Sequence, residues 1–153
     1  MGIVCELYRL SDKKIEKLMT MNKDDFEEFL DNEFDSINEK TYEEDETIFP
    51  MSKGWDITKY LLQKLDFTNE KILLELNKTF IKFEKTVRIY NVIKNIDIND
   101  LMSIYNREEM IENDVYRSEM IKNKDFINHH LKAFQKGFKK ASDLKDGIVI
   151  YYY

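Results

Sequence analysis

Apolar residues follow two rhythms along this chain, and its last thirty residues, Lys124 to Tyr153, show both. Phe126, Ile127, His130, Leu131, Phe134, Phe138 and Ala141 recur at helical spacing, which predicts a helix near Asp125–Lys140 with one almost wholly apolar face. Asp146-Gly147 then offers a turn able to take positive φ. Ile148 to Tyr153 follows as an uncharged β-branched and aromatic run, the pattern of a strand inside a sheet. Gly2 to Leu10 reads as a second strand, from its mixed alternation and β-branched content.

Between these ends the helical rhythm dominates. Ser11 is the expected N-cap of a helix running to about Met21, with Asp12 in its first turn and Leu10 packing on Ile15. Asn22 or Asp24 caps a second helix carrying Phe26, Phe29 and Leu30. From Asn32 to Pro50 the periodicity lapses, which predicts an exposed loop or short irregular element, and Pro50 to Gly54 punctuate the chain. Ser52 or Asp56 opens the next helix, with Trp55, Thr58, Leu61, Leu62 and Leu65 on one side; the Trp55 indole is expected to close one end of the core and bond a carbonyl. Thr68 or Asn69 starts a further segment with Ile72, Leu73 and Leu76, and Phe80 to Phe83 fits a short strand. Thr86 to Ile96 satisfies both rhythms, so local pattern leaves helix and strand open there. Asp97 or Asn99 and then Asn106 cap two short helices, and Asn113 to Asn123 is irregular. The sum is an α+β single compact domain over 1–153, several helices packed on a small sheet that includes the N- and C-terminal strands.

Composition adds little to the fold but sharpens the chemistry. With 153 residues, 42% hydrophobic, one proline and four glycines, the chain supports a sizeable core and shows no sign of a flexible linker. Cys5 lacks a second cysteine, so it reads as a buried inert thiol in a reducing compartment, and the expected location is cytoplasmic. Neither a basic leader pattern nor a long apolar run is visible. The net charge of −6 divides unevenly: residues 1–50 hold 15 Asp+Glu against 6 Lys+Arg, a net of −9, whereas 51–153 hold 15 against 18, a net of +3. Twelve carboxylates lie between Asp24 and Glu46 with only Lys40 among them. That stretch repels nucleic acid and anionic membrane and attracts a basic surface. Its plain reading is a solvated face; its functional reading is a docking surface for a basic protein partner, with Asp35, Glu39, Glu43, Glu44, Asp45 and Glu46 as candidate partner-binding residues.

Several segments carry a likeness in their order. Met1-Gly2-Ile3 with Leu10-Ser11-Asp12, then Lys53 to Leu62 around Trp55, then Tyr105 to Met110, Val115-Tyr116, Leu131 to Phe134, Ala141 and Asp146 to Ile150 together resemble the YfbM-like family of small uncharacterised bacterial proteins. The matching segments span about three-fifths of the chain, and none of them is a catalytic motif. The resemblance implies an α+β fold and a helix for Thr86–Ile96, and it implies no reaction, cofactor or catalytic residue. The chain departs from the family pattern at Gln63 to Phe67, where a glycine-rich segment is usual, and at Arg117, where a proline is usual.

His129 and His130 are adjacent, so on a helix they point about 100° apart and cannot chelate one metal as an i, i+4 pair would. His130 fits a core or boundary position. The sequence holds no glycine-rich phosphate loop, nucleophile elbow or paired-cysteine site. Lys132, Lys136, Lys139, Lys140 and Lys145 form a basic patch that reads as the solvated face of the last helix, without direct nucleic-acid binding. The expectation is a non-catalytic protein-binding domain without cofactor or metal, an acidic inhibitor of the immunity or anti-defence kind that docks on a basic nucleic-acid-processing partner. The alternative is a small ligand-binding protein or enzyme with a pocket near Trp55, Tyr60, Tyr116 and His130.

Overall fold

The structure is a computed structural model that describes residues 2–35, 47–66, 68–118 and 123–153. Strand β1 (Cys5–Leu10) leads into helices α1 (Asp12–Met19) and α2 (Lys23–Asp35); strand β2 (Ile48–Ser52) precedes α3 (Trp55–Leu65) and a 3-10 helix (Ile72–Asn77). Strand β3 (Phe80–Ile81), helices α4 (Phe83–Ile93), α5 (Ile98–Ser103), α6 (Arg107–Glu112) and α7 (Lys124–Asp143), and strand β4 (Gly147–Tyr152) complete the order. The four strands form one sheet in the order β2-β1-β4-β3, antiparallel throughout. Its two central strands are therefore the first and the last along the chain.

Alternation along these strands sorts the core into two layers. Cys5 and Leu7 of β1 and Ile148 and Ile150 of β4 face α3 to α7, in the larger cluster with Leu61, Ile89, Leu131 and Phe138. Tyr8, Leu10 and Val149 face the other way, against Ile15 and Leu18 of α1 and Leu30 of α2. Helices thus cover both faces, which explains why β4 is an uninterrupted apolar run and not a polar–apolar alternation.

The caps follow sequence chemistry in most places. Ser11 accepts from the Lys14 amide at 3.3 Å, Asn22 from Asp25 at 2.9 Å, and Asp97 forms a reciprocal capping box with Asp100. Asn106 accepts from the Glu109 amide at 3.1 Å, but the Glu109 carboxylate turns to Tyr60 and Lys64 instead of closing a box. Thr86 to Ile93 is helix, as the family likeness implies.

Three expectations are corrected. The segment Ile48–Ser52 is a strand containing Pro50, not punctuation. It sits at the sheet edge, where proline costs no inward ladder bond, and Phe49 and Met51 bury into the larger cluster. Helix α3 starts after Gly54, which lends no side-chain cap, so neither Ser52 nor Asp56 opens it. The turn before β4 places positive φ on Lys145 (59°), and no described glycine has positive φ. Lys145 occupies the left-handed position that ends α7, with the Asp146 amide bonded to the Ala141 carbonyl at 2.8 Å. Gly147 serves close approach instead: a Cβ there would lie 2.4 Å from the Ile81 carbonyl and 2.5 Å from Ile15 Cδ1.

Candidate functional site

The structure divides the four candidate pocket residues. Trp55 and Tyr116 meet, their rings stacked at 6.1 Å and 27°, and Tyr152 of β4 closes on the indole at 4.6 Å. Tyr60 lies five residues along α3, about 140° around the helix, and its hydroxyl donates to Glu109 at 2.7 Å. Burial and the Glu109 hydrogen bond push its phenol up to about 12. His130 is fully buried behind Gly54; a Cβ on that glycine would come within 2.7 Å of His130 Cε1 and 2.8 Å of Phe126 Cε1.

Three remote segments build the Trp55–Tyr116 cluster. Asp56 on α3 accepts from the Tyr116 amide at 2.9 Å and pairs with Lys59 at 3.2 Å, while Lys59 lies 5.1 Å from the indole centroid. The Ile3 amide donates to the Tyr116 hydroxyl at 2.7 Å, and Arg117 stands over the Tyr116 ring at 5.4 Å. Hydrogen bonding to Arg117 and to the Ile3 amide, with Lys53 nearby, lowers the Tyr116 phenol. Arg117 and Asp114 both hold positive φ, 63° and 54°, so the loop that presents Tyr116 is backbone-strained on both sides of it. Cys5 lies beneath with its thiol pushed up to about 12 by burial, which keeps it protonated and unreactive.

Two buried polar atoms stand out. Trp55 Nε1 and His130 Nε2 make no hydrogen bond among the described residues, so the expected indole–carbonyl bond is not formed. His130 Nδ1 meets the Phe126 carbonyl at 2.7 Å, which assigns the proton to Nδ1 and leaves Nε2 its lone pair. Burial lowers the imidazole below its ordinary value, although the Phe126 and Met51 backbone groups favour the charged form.

The acidic stretch is placed in part. Asp24, Glu28 and Asp31 follow an i, i+4, i+7 stripe on α2, exposed, and make no ion pair among the described residues, while Phe26, Phe29 and Leu30 on the other side pack toward the sheet. Asp35 ends α2; Glu39, Glu43, Glu44, Asp45 and Glu46 lie outside the described residues. The candidate residues named from sequence begin at Asp35 and omit this stripe, although its i, i+4, i+7 spacing is legible there.

Concavities among the described residues lie elsewhere. One of about 510 Å³ opens between α3, α4 and α5, with Leu65, Val92 and Ile96 as its apolar wall and Asp100 at its rim. Another of about 340 Å³ runs between α4 and α7. Neither includes Trp55, Tyr60, Tyr116 or His130. Among the described residues no three His, Cys, Asp or Glu side chains gather to hold a metal, and no helix is long and apolar enough to cross a membrane.

Comparison with known proteins adds family and fold. The model of a family described as a domain of unknown function, DUF1877, matches residues 1–151. No curated protein matches. The crystal structure of YfbM from Escherichia coli, a protein of unknown function, is similar at a TM-score of 0.66 and 10% identity, over 97% of this chain and 98% of that one.

Proposed function

Since the chain belongs to the DUF1877 family, which has no established activity, we propose from its surface chemistry that it is a non-catalytic protein-binding domain, an acidic inhibitor docking on a basic nucleic-acid-processing partner. The observation that carries this reading is the α2 stripe. Asp24, Glu28 and Asp31 are exposed carboxylates on a helix whose far side is anchored in the core, so their spacing is fixed before any partner arrives. Preorganised charges of one sign steer association and replace the phosphates that a basic nucleic-acid-processing surface is built to hold. The residues following α2 extend the same charge along the sequence, from Asp35 through Glu46.

Reversal of Asp24, Glu28 and Asp31 to lysine tests the reading, alone and combined with reversal of Glu43 to Glu46. The wild-type chain is expected to retain one basic protein from native lysate at low salt, to release it at high salt, and to reduce that protein's activity on nucleic acid. The reversed chains are expected to lose capture while keeping their melting temperature. Capture that survives both reversals, or a captured partner whose activity is unchanged, refutes the proposal.

A further inference from the structure

The sheet ends differently at its two edges. Strand β2 carries Pro50, which has no N–H to offer a further strand. At the other edge β3 is two residues long and covers only Ile148 and Val149 of β4. The Ile150 amide makes the next bond on that side, to the Thr79 carbonyl at 2.8 Å, and Lys78 then turns away, its amide donating to the Glu75 carbonyl at 3.0 Å. Strand β4 runs on past this point. Tyr153 exchanges both of its main-chain bonds with Val4, just before β1, at 3.0 and 2.8 Å. By alternation the N–H and C=O of Tyr152 point to the uncovered side, where they meet no partner among the described residues.

A concavity of about 330 Å³ lies along this end of β4, bounded across from it by Lys23, Phe26 and Glu27 of α2. Its wall is aromatic. Tyr151 and Tyr153 stack at 5.7 Å and 26°, Phe26 meets Tyr151 edge-on at 5.7 Å, and Tyr153 is 58% exposed. Glu6 accepts from the Tyr153 hydroxyl at 2.9 Å and from that of Tyr8. Burial first, then Glu27, with Asp31 and Glu6 beyond it, raises the Tyr151 phenol, so negative charge surrounds the tyrosine rings. Lys23 stands at the rim, 83% exposed and 3.8 Å from Glu27, a loose pair that a better-placed cation replaces.

We propose that this end of β4 grips an extended, arginine-bearing segment of a basic partner, laid antiparallel along Tyr152 in line with β3. One residue of the segment exchanges main-chain bonds with Tyr152, and its neighbours then turn their side chains to the face of Tyr151 and Tyr153. An arginine at that place lays its planar guanidinium on the tyrosine rings and reaches Glu27, which the compact ammonium of lysine matches less well. The inference rests on the acidic-docking reading for the sign of the partner's charge and adds how the partner is held.

The test is amide exchange and amide shifts of the full chain, alone and with the end-blocked peptide Thr-Arg-Val-Arg-Val-Thr, at physiological salt. In the free chain the Tyr152 amide is expected to exchange at least about tenfold faster than that of Tyr151, which is paired with Glu6. Peptide is expected to protect Tyr152 saturably and to shift residues 150–153 and 23–27. Antiparallel pairing turns the valine amides of the peptide toward β4, so N-methylation of both valines is expected to abolish binding and N-methylation of both arginines to spare it. Glutamate in place of the arginines, or Glu27→Lys in the chain, is expected to weaken binding at least about tenfold, while reversal of Asp24 and Glu28, which do not line the concavity, changes it less than about threefold. The proposal is overturned by a Tyr152 amide as slow as Tyr151 in the free chain, by lack of saturable protection at millimolar peptide, by binding that survives valine methylation, or by equal weakening on reversal of Asp24 and Glu28. None of these outcomes involves lysate capture, so failure here is distinct from failure of the α2 reversals to release a partner.

Discussion

His130 is one residue through which pH acts on the fold. In the unfolded chain its imidazole titrates near about 6.5, and burial holds it lower in the folded chain. Above the unfolded value both states are neutral and stability is complete. As pH falls, the unfolded chain takes up the proton first, and stability drops until the folded pKa is reached. The melting temperature is therefore expected to fall between pH 7 and pH 5, with this residue contributing at most one proton to the slope, about 1.4 kcal/mol per pH unit. His130→Gln should remove that part of the slope. Equal pH dependence in wild type and His130→Gln would sink the assignment. The histidine's place on the apolar face was legible from spacing alone, because a 3.6-residue period marks the inward side whatever residue stands there. Its unbonded Nε2 was not, since a missing partner depends on what the rest of the fold brings near.

Among elements, the joint between α1 and α4 shows how a cap can serve a distant helix. Asp12 stands in the first turn of its own helix, where an acidic residue complements the dipole; its carboxylate also accepts from the Phe83 amide at 2.8 Å, the first of α4. The neighbouring Glu16–Lys82 pair, at 2.8 Å, braces the same joint. Asp12→Ala is expected to cost about 1–2 kcal/mol, read as a lower denaturant midpoint at unchanged m-value, and Asp12→Asn less, because an amide oxygen still accepts. A cost no larger for alanine than for asparagine would show that the Phe83 bond contributes nothing. Local caps at Ser11, Asn22, Asp97 and Asn106 were readable because donor and acceptor lie within three residues. The Asp12–Phe83 bond spans 71 positions, and β2 hid because Pro50 resembles a breaker until a sheet edge exists to receive it.

At the scale of the molecule, charge and topology were unequally legible. The sign change between the first 50 residues and the rest is a property of the sequence and needed no structure. The facing of α4 and α7 that gathers Lys94 with Lys132 and Lys136 needed the tertiary packing. That the strands at the two ends of the chain belong to one sheet followed from their composition; that they pair with each other at its centre, Leu7 opposite Ile150, did not, because strand order leaves no mark in local pattern. This pairing bears on time as well as on space. During synthesis β1 emerges first and has no central neighbour until residues 147–152 leave the ribosome, so nascent chains stalled short of them should remain protease-sensitive whatever helix they have formed. Chains extended past them should become resistant in one step, and gradual protection from α3 onward would show instead that the helical layer closes without its sheet. Until that last strand arrives the molecule is a collection of amphipathic helices with one edge of β1 open beside its β2 neighbour, and that edge is a template for pairing with another chain.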